Sequence, residues 1–125
     1  MDVVVIQEGS AVTFKFERPG LITKAIRIRV FTNDVSVGSS TNQVLWEVAN
    51  DTTKKGFRTI NYGILPQGFS QLTPKDGVPP PLQEGERYYV AAESEDGTRG
   101  WSVFRLRSSI RGQTVRIDED PKQPK

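Results

Sequence analysis

The chain has 125 residues, no His, no Cys, and 17 Lys and Arg against 15 Asp and Glu, a net charge of +2. The missing His and Cys exclude thiol nucleophiles, Ser-His and Cys-His pairs, imidazole proton shuttles, and the zinc, haem and iron–sulfur sites that need those ligands. The length fits one domain, and 11 Gly with 8 Pro point to many turns rather than long helices.

Basic and acidic residues are interspersed along the chain. The clustered basic face of a nucleic-acid binder is therefore missing, and no nucleic-acid partner is expected. No apolar run approaches the roughly 18 residues of a transmembrane helix. The opening residues 1–6 carry no basic leader and no small-residue cleavage site, so they do not read as a signal peptide.

The dominant period is two. Residues 3–6 are a short β-branched run that suits a first or edge strand. Val12, Phe14 and Phe16 then alternate with Thr13, Lys15 and Glu17, the pattern of a half-buried strand. Ile26, Ile28 and Val30 alternate with Arg27 and Arg29, and Val44, Trp46 and Val48 with Leu45, Glu47 and Ala49. Further strands are predicted over residues 57–65, 87–95 and 101–107, with a weaker one at 114–117. No window holds a helix-period apolar stripe of ten or more residues. Seven or eight short strands separated by turn residues make an antiparallel sandwich or barrel.

Between the strands, Arg18-Pro19-Gly20 is a turn signal, residues 32–42 are a Ser-, Thr- and Asn-rich loop, and residues 50–56 are a hydrophilic turn. Residues 66–86 are long for a connection and hold Pro66, Pro74, Pro79, Pro80 and Pro81. Residues 68–72 can supply a short edge strand there, and the Pro79–Pro81 run favours polyproline II, which stiffens a crossover more often than it docks a partner. Residues 118–125 are charged and lack apolar anchors, so they read as a disordered tail on a domain formed by residues 1–117.

The segment Leu82-Gln83-Glu84-Gly85-Glu86-Arg87-Tyr88-Tyr89-Val90-Ala91-Ala92 resembles the start of the sixth strand in fibronectin type III domains. Leu82, Gly85, Tyr88, Val90 and Ala92 occupy that family's spacing, with Glu84 in place of its usual Pro. The physical device is the tyrosine corner, a Tyr whose ring enters the core and whose hydroxyl returns to the backbone upstream. Trp46 falls in the third main strand, where immunoglobulin-like sandwiches commonly bury a Trp. The resemblance implies an all-β, immunoglobulin-like (fibronectin type III-like) antiparallel β-sandwich. It also implies export to the periplasm or cell surface, as bacterial domains of this kind occur in lipoproteins and surface assemblies.

On that architecture Phe14, Phe16, Ile26, Ile28, Val30, Trp46, Tyr88, Val90, Ala92, Phe104 and Leu106 form the core. One sheet then shows Leu45, Glu47, Tyr89, Ala91, Glu93, Glu95, Trp101, Val103, Arg105 and Arg107 outward. The other shows Thr13, Lys15, Glu17, Arg27 and Arg29. These facings depend on register, since a slip of one residue inverts them.

Glu93 and Glu95, two apart on a strand, could serve acid–base chemistry, but pairing with Arg105 or Arg107 is the simpler account. Calcium ligands could come from Asn33-Asp34, Asp51, Asp96 or residues 118–120, yet none of these has the acidic density of a calcium loop, and Asx turns explain the first three. Arg27, Arg29 and Lys15 read as a solvated face. Tyr89, Trp101 and Arg105 are the stronger lead, because aromatic residues and Arg concentrate at interface hot spots. The alternative for Trp101 is a lid over the core. The expectation is thus a non-catalytic module without cofactor or metal that contacts a protein through Tyr89, Trp101, Arg105, Arg99, Asn33 and Asp34. Carbohydrate stacking on Trp101 and Tyr89 is the alternative.

Overall fold

A computed structural model of the chain describes residues 1–20, 23–33, 42–108 and 113–119. Ten strands and no helix occur among them: β1 (Asp2–Glu8), β2 (Ala11–Glu17), β3 (Ala25–Asn33), β4 (Asn42–Ala49), β5 (Thr59–Asn61), β6 (Ser70–Thr73), β7 (Arg87–Ser94), β8 (Arg99–Arg105), β9 (Thr114–Arg116) and β10 (Asp118–Glu119). They form a four-stranded sheet in the order β5-β2-β1-β9 and a six-stranded sheet in the order β10-β8-β7-β3-β4-β6. All strand pairs are antiparallel. The molecule is an all-β sandwich.

Alternation decides what each strand contributes. β2 buries Val12, Phe14 and Phe16 and turns Lys15 and Glu17 outward. β7 buries Tyr88, Val90, Ala92 and Ser94 in strict alternation. These inward rows meet Ile28, Val30, Trp46, Val48 and Phe104 in one core. Phe14 of one sheet meets Phe104 of the other edge to face, with ring centroids 5.7 Å apart, a favoured aromatic geometry.

Polar groups stitch the sheets where β1 lies against β8. The Ser102 hydroxyl donates to the Val3 carbonyl. The buried Gln7 carboxamide donates to the Arg107 carbonyl at 2.9 Å and accepts from the Arg107 N–H at 2.9 Å, so a core amide is satisfied by backbone alone. Gly100 is needed at this seam, because a Cβ there would collide with the Met1 carbonyl. Beyond β9 the chain changes sheets. The Ile117 N–H donates to the Val5 carbonyl at 2.8 Å, and Asp118 then pairs opposite Phe104.

Several sequence expectations are corrected here. Arg27 and Arg29, expected with Lys15 on the other sheet, lie in the six-stranded sheet, because β3 pairs with both β4 and β7. Leu45, expected outward, is buried in the core. Val30 stands opposite Trp46 and Phe31 opposite Val44, which leaves Leu45 as the extra residue of a β-bulge and shifts the parity. The strand expected over residues 57–65 shrinks to β5, since the chain turns at Gly63 with φ 85°. Val103 is outward by parity yet buried. Asp118 and Glu119, expected in a tail, form β10. Residues 120–125 and most of the loop expected at 32–42 lie outside the described residues.

Candidate functional site

The outer face of the six-stranded sheet is read row by row across its strands. One row runs Val44, Phe31, Tyr89, Val103 and Glu119; the next runs Glu47, Arg29, Ala91 and Trp101; a third runs Ala49, Arg27, Glu93 and Arg99. Neighbouring strands lie about 4.8 Å apart, so residues in one row are side by side on the surface.

Trp101 is 54% exposed and belongs to this face, which removes the alternative of a lid over the core. Its neighbour across the strand pair is Ala91, whose small side chain leaves a depression beside the indole. The result is a groove of about 490 Å³ between Trp101, Phe31, Ala91, Arg27, Arg29 and Arg99. Tyr89 stands behind it and stacks on Phe31 with ring centroids 5.5 Å apart and planes 15° from parallel. The ring of Phe31 is thereby held in place from one side while lining the groove from the other.

Charge is distributed unevenly around this groove. Glu47 is nearly buried, and its Oε2 lies 3.2 Å from Arg27 Nε and 3.3 Å from Arg29 Nη2. The Arg29 contact is a hydrogen bond, whereas Arg27 Nε is buried without a hydrogen-bond partner. The Arg27 contact is therefore ionic only, with its N–H pointing off the carboxylate. Glu93 pairs with Arg99 at 3.5 Å, and the Arg99 side chain is otherwise open to solvent. Three guanidiniums thus face two carboxylates.

The expected site residues divide. Trp101 and Arg99 are brought together at the groove, and Tyr89 supports it. Arg105 lies two rows away opposite Arg87, where both bind Glu119 at 3.3 Å and Arg105 donates to the Gly85 carbonyl at 3.2 Å. Asn33 ends β3, and Asp34 lies outside the described residues. Phe31 is a groove residue that sequence reasoning missed, and Arg27 and Arg29, expected as a solvated face, line the groove with it. Their shared parity in β3 was visible; that β3 sits beside β7 was not.

The carboxylates weighed for catalysis or metal binding go elsewhere. Glu93 pairs with Arg99, while Glu95 lies beyond the end of β7 and accepts from the Gly56 N–H at 3.0 Å. Asp96 closes the β7–β8 turn. The Ser94 hydroxyl, the N–H and hydroxyl of Thr98, and Arg18 at 2.7 Å hold its carboxyl well below the usual carboxylate range. Among the described residues no group of three or more Asp and Glu could hold a metal ion. No described helix is long and apolar enough to cross a membrane.

No family model matches the chain, and neither curated proteins nor solved structures gave a match.

Proposed function

We propose that this chain is a non-catalytic binding module of the immunoglobulin-like, fibronectin type III-like kind, which contacts a protein partner through the outer face of its six-stranded sheet. The observation that carries the reading is Trp101, a large apolar side chain left exposed at the rim of a groove with three guanidiniums around it. Exposed aromatic residues beside Arg are the composition of interface hot spots. The finer architectural reading is supported by Tyr88, whose ring is buried and whose hydroxyl accepts a hydrogen bond at 2.8 Å from the Gln83 N–H five residues upstream. The orders β5-β2-β1 and β8-β7-β3-β4 support it as well. Export to the bacterial periplasm or surface rests on the family resemblance alone.

Carbohydrate binding is the second reading, favoured by the same exposed indole. The guanidinium rim weighs against it, because a neutral sugar leaves that charge unused.

The reading is tested by comparing retention of native binding proteins on immobilised wild-type protein, Trp101→Ala, and a Lys15→Ala control on the opposite sheet. Loss of the same bound protein in Trp101→Ala alone supports the reading. Equal retention by all three overturns it, and glycan-array binding that depends on Trp101 transfers the site to the second reading.

A further inference from the structure

We infer that the groove selects an acidic segment of its partner, an extended peptide carrying a carboxylate two positions from an aromatic or large apolar side chain. The inference rests on the protein-binding reading above and adds to it the chemistry of what is bound.

Charge complementarity gives the sign. Arg27 and Arg29 share a single carboxylate oxygen of Glu47, and their side chains remain 42% and 50% exposed. A guanidinium presents five N–H donors in a planar fork, so one shared oxygen leaves most of the donors on these two side chains unused by Glu47. A carboxylate is the acceptor that matches this fork, through two parallel charge-assisted hydrogen bonds. A cationic or neutral side chain placed there would leave the surplus positive charge uncompensated.

Geometry gives the spacing. Arg29 on β3 and Trp101 on β8 lie in one row, separated by Ala91 on β7. Two strand spacings put their backbones about 10 Å apart, and both side chains line the groove that Ala91 floors, with the Arg29 guanidinium held on the β4 side by Glu47. An extended peptide projects side chains i and i+2 to the same side about 7 Å apart. One reaches the guanidiniums while the other meets the indole and the Phe31 ring. Phe31 is braced by Tyr89 at 5.5 Å, so that wall does not have to be ordered by the ligand.

The experiment uses the full chain and three blocked pentapeptides: acetyl-Ser-Glu-Ser-Phe-Ser-amide and its counterparts with Gln or Lys in place of Glu. Binding is read by the fluorescence of Trp101, since Trp46 is fully buried. The Glu peptide is expected to give a saturable change, with the Gln peptide binding at least about tenfold more weakly and the Lys peptide weaker still. Arg29→Gln should reduce affinity for the Glu peptide by about tenfold and leave the Gln peptide unaffected, while Arg58→Gln on β5's flank changes neither. Equal binding of the Glu and Gln peptides at Trp101 overturns acidic selection but leaves the protein-binding face standing. Absence of any saturable signal with the Glu peptide overturns the inference as well. Failure of the underlying reading shows separately, as partner retention that survives Trp101→Ala.

Discussion

Trp46 Nε1 donates to Gln71 Oε1 at 2.9 Å, and the nitrogen of the same carboxamide donates to the Pro74 carbonyl at 2.9 Å and the Gly77 carbonyl at 2.8 Å. One side chain on β6 therefore ties the largest fully buried side chain of the core to the proline-rich excursion that follows. The excursion is anchored a second time where the Tyr62 hydroxyl donates to the Pro80 carbonyl at 2.7 Å, and burial pushes that phenol above its usual range.

Replacing Gln71 by Leu keeps the bulk and removes the three bonds of its carboxamide, leaving the Tyr62–Pro80 bond in place. The buried Trp46 N–H is left without an acceptor, which costs about 1–3 kcal/mol. Urea denaturation should show a lower midpoint at unchanged slope, because the unfolded state is the same. The segment from Pro74 to Gly77 should become the first site of limited proteolysis.

Tyr88→Phe removes only the hydroxyl that accepts from Gln83. The Gln83 side of this bond is solvent-exposed, so its N–H can turn to water, and the loss should be about 0.5–1.5 kcal/mol. A larger loss in the same urea titration would mean that the ring also shifts in the core beside Phe104, 5.6 Å away.

Glu47→Gln strips the shared carboxylate charge from beneath Arg27 and Arg29. Breaking a fully buried pair costs about 3–5 kcal/mol. Here the guanidinium side chains are 42% and 50% exposed and solvent screens them, so about 1–2 kcal/mol is expected. Thermal unfolding at low ionic strength measures it, and the difference from wild type should shrink as salt is added.

The two Trp residues should respond differently to quenchers. Trp46 is fully buried and Trp101 is 54% exposed, so acrylamide should reach one indole only, and Trp101→Phe should abolish collisional quenching. Iodide should quench more steeply than caesium, because Arg27, Arg29 and Arg99 gather anions at the groove. The asymmetry should fade towards 1 M salt, where the screening length falls to about 3 Å. Equal slopes for the two ions at low salt would contradict the charge distribution described for this face.

Asp96 makes a pH prediction with a definite sign. Its carboxyl is held down in the folded state by the Ser94 hydroxyl, by Thr98 and by Arg18. The unfolded value is about 3.9. A folded value below the unfolded one means that the ionised carboxyl stabilises the fold above about pH 4 and that this contribution drains away as pH falls towards the folded value. Asp96→Asn should therefore lower the melting temperature at pH 7, with the difference from wild type narrowing between about pH 4 and pH 2. A constant difference across that range would show that the turn depends on side-chain shape rather than charge.

The periodicity of the sequence determined which side of each strand is apolar, and the structure follows it in β2, in β7 and in β3, where Ile26, Ile28 and Val30 are buried opposite Arg27 and Arg29. That information is local, because successive side chains in an extended chain must point to opposite faces. Which strands become neighbours is a long-range matter. Arg29 and Trp101 are 72 positions apart, and no feature near either one says that β7 will stand between them. The same limit explains Leu45, whose burial follows from a bulge set by pairing with β3, and Glu119, whose place in β10 follows from Arg87 and Arg105 across the sheet edge. Sequence alone thus identified Trp101 and Tyr89 as outward residues of one sheet and Arg99 as a candidate for binding beside them. The addition of Arg27, Arg29 and Phe31, which turns these three side chains into a cationic groove with aromatic walls, was decided by strand order. Strand order depends on how two whole sheets bury their apolar faces together.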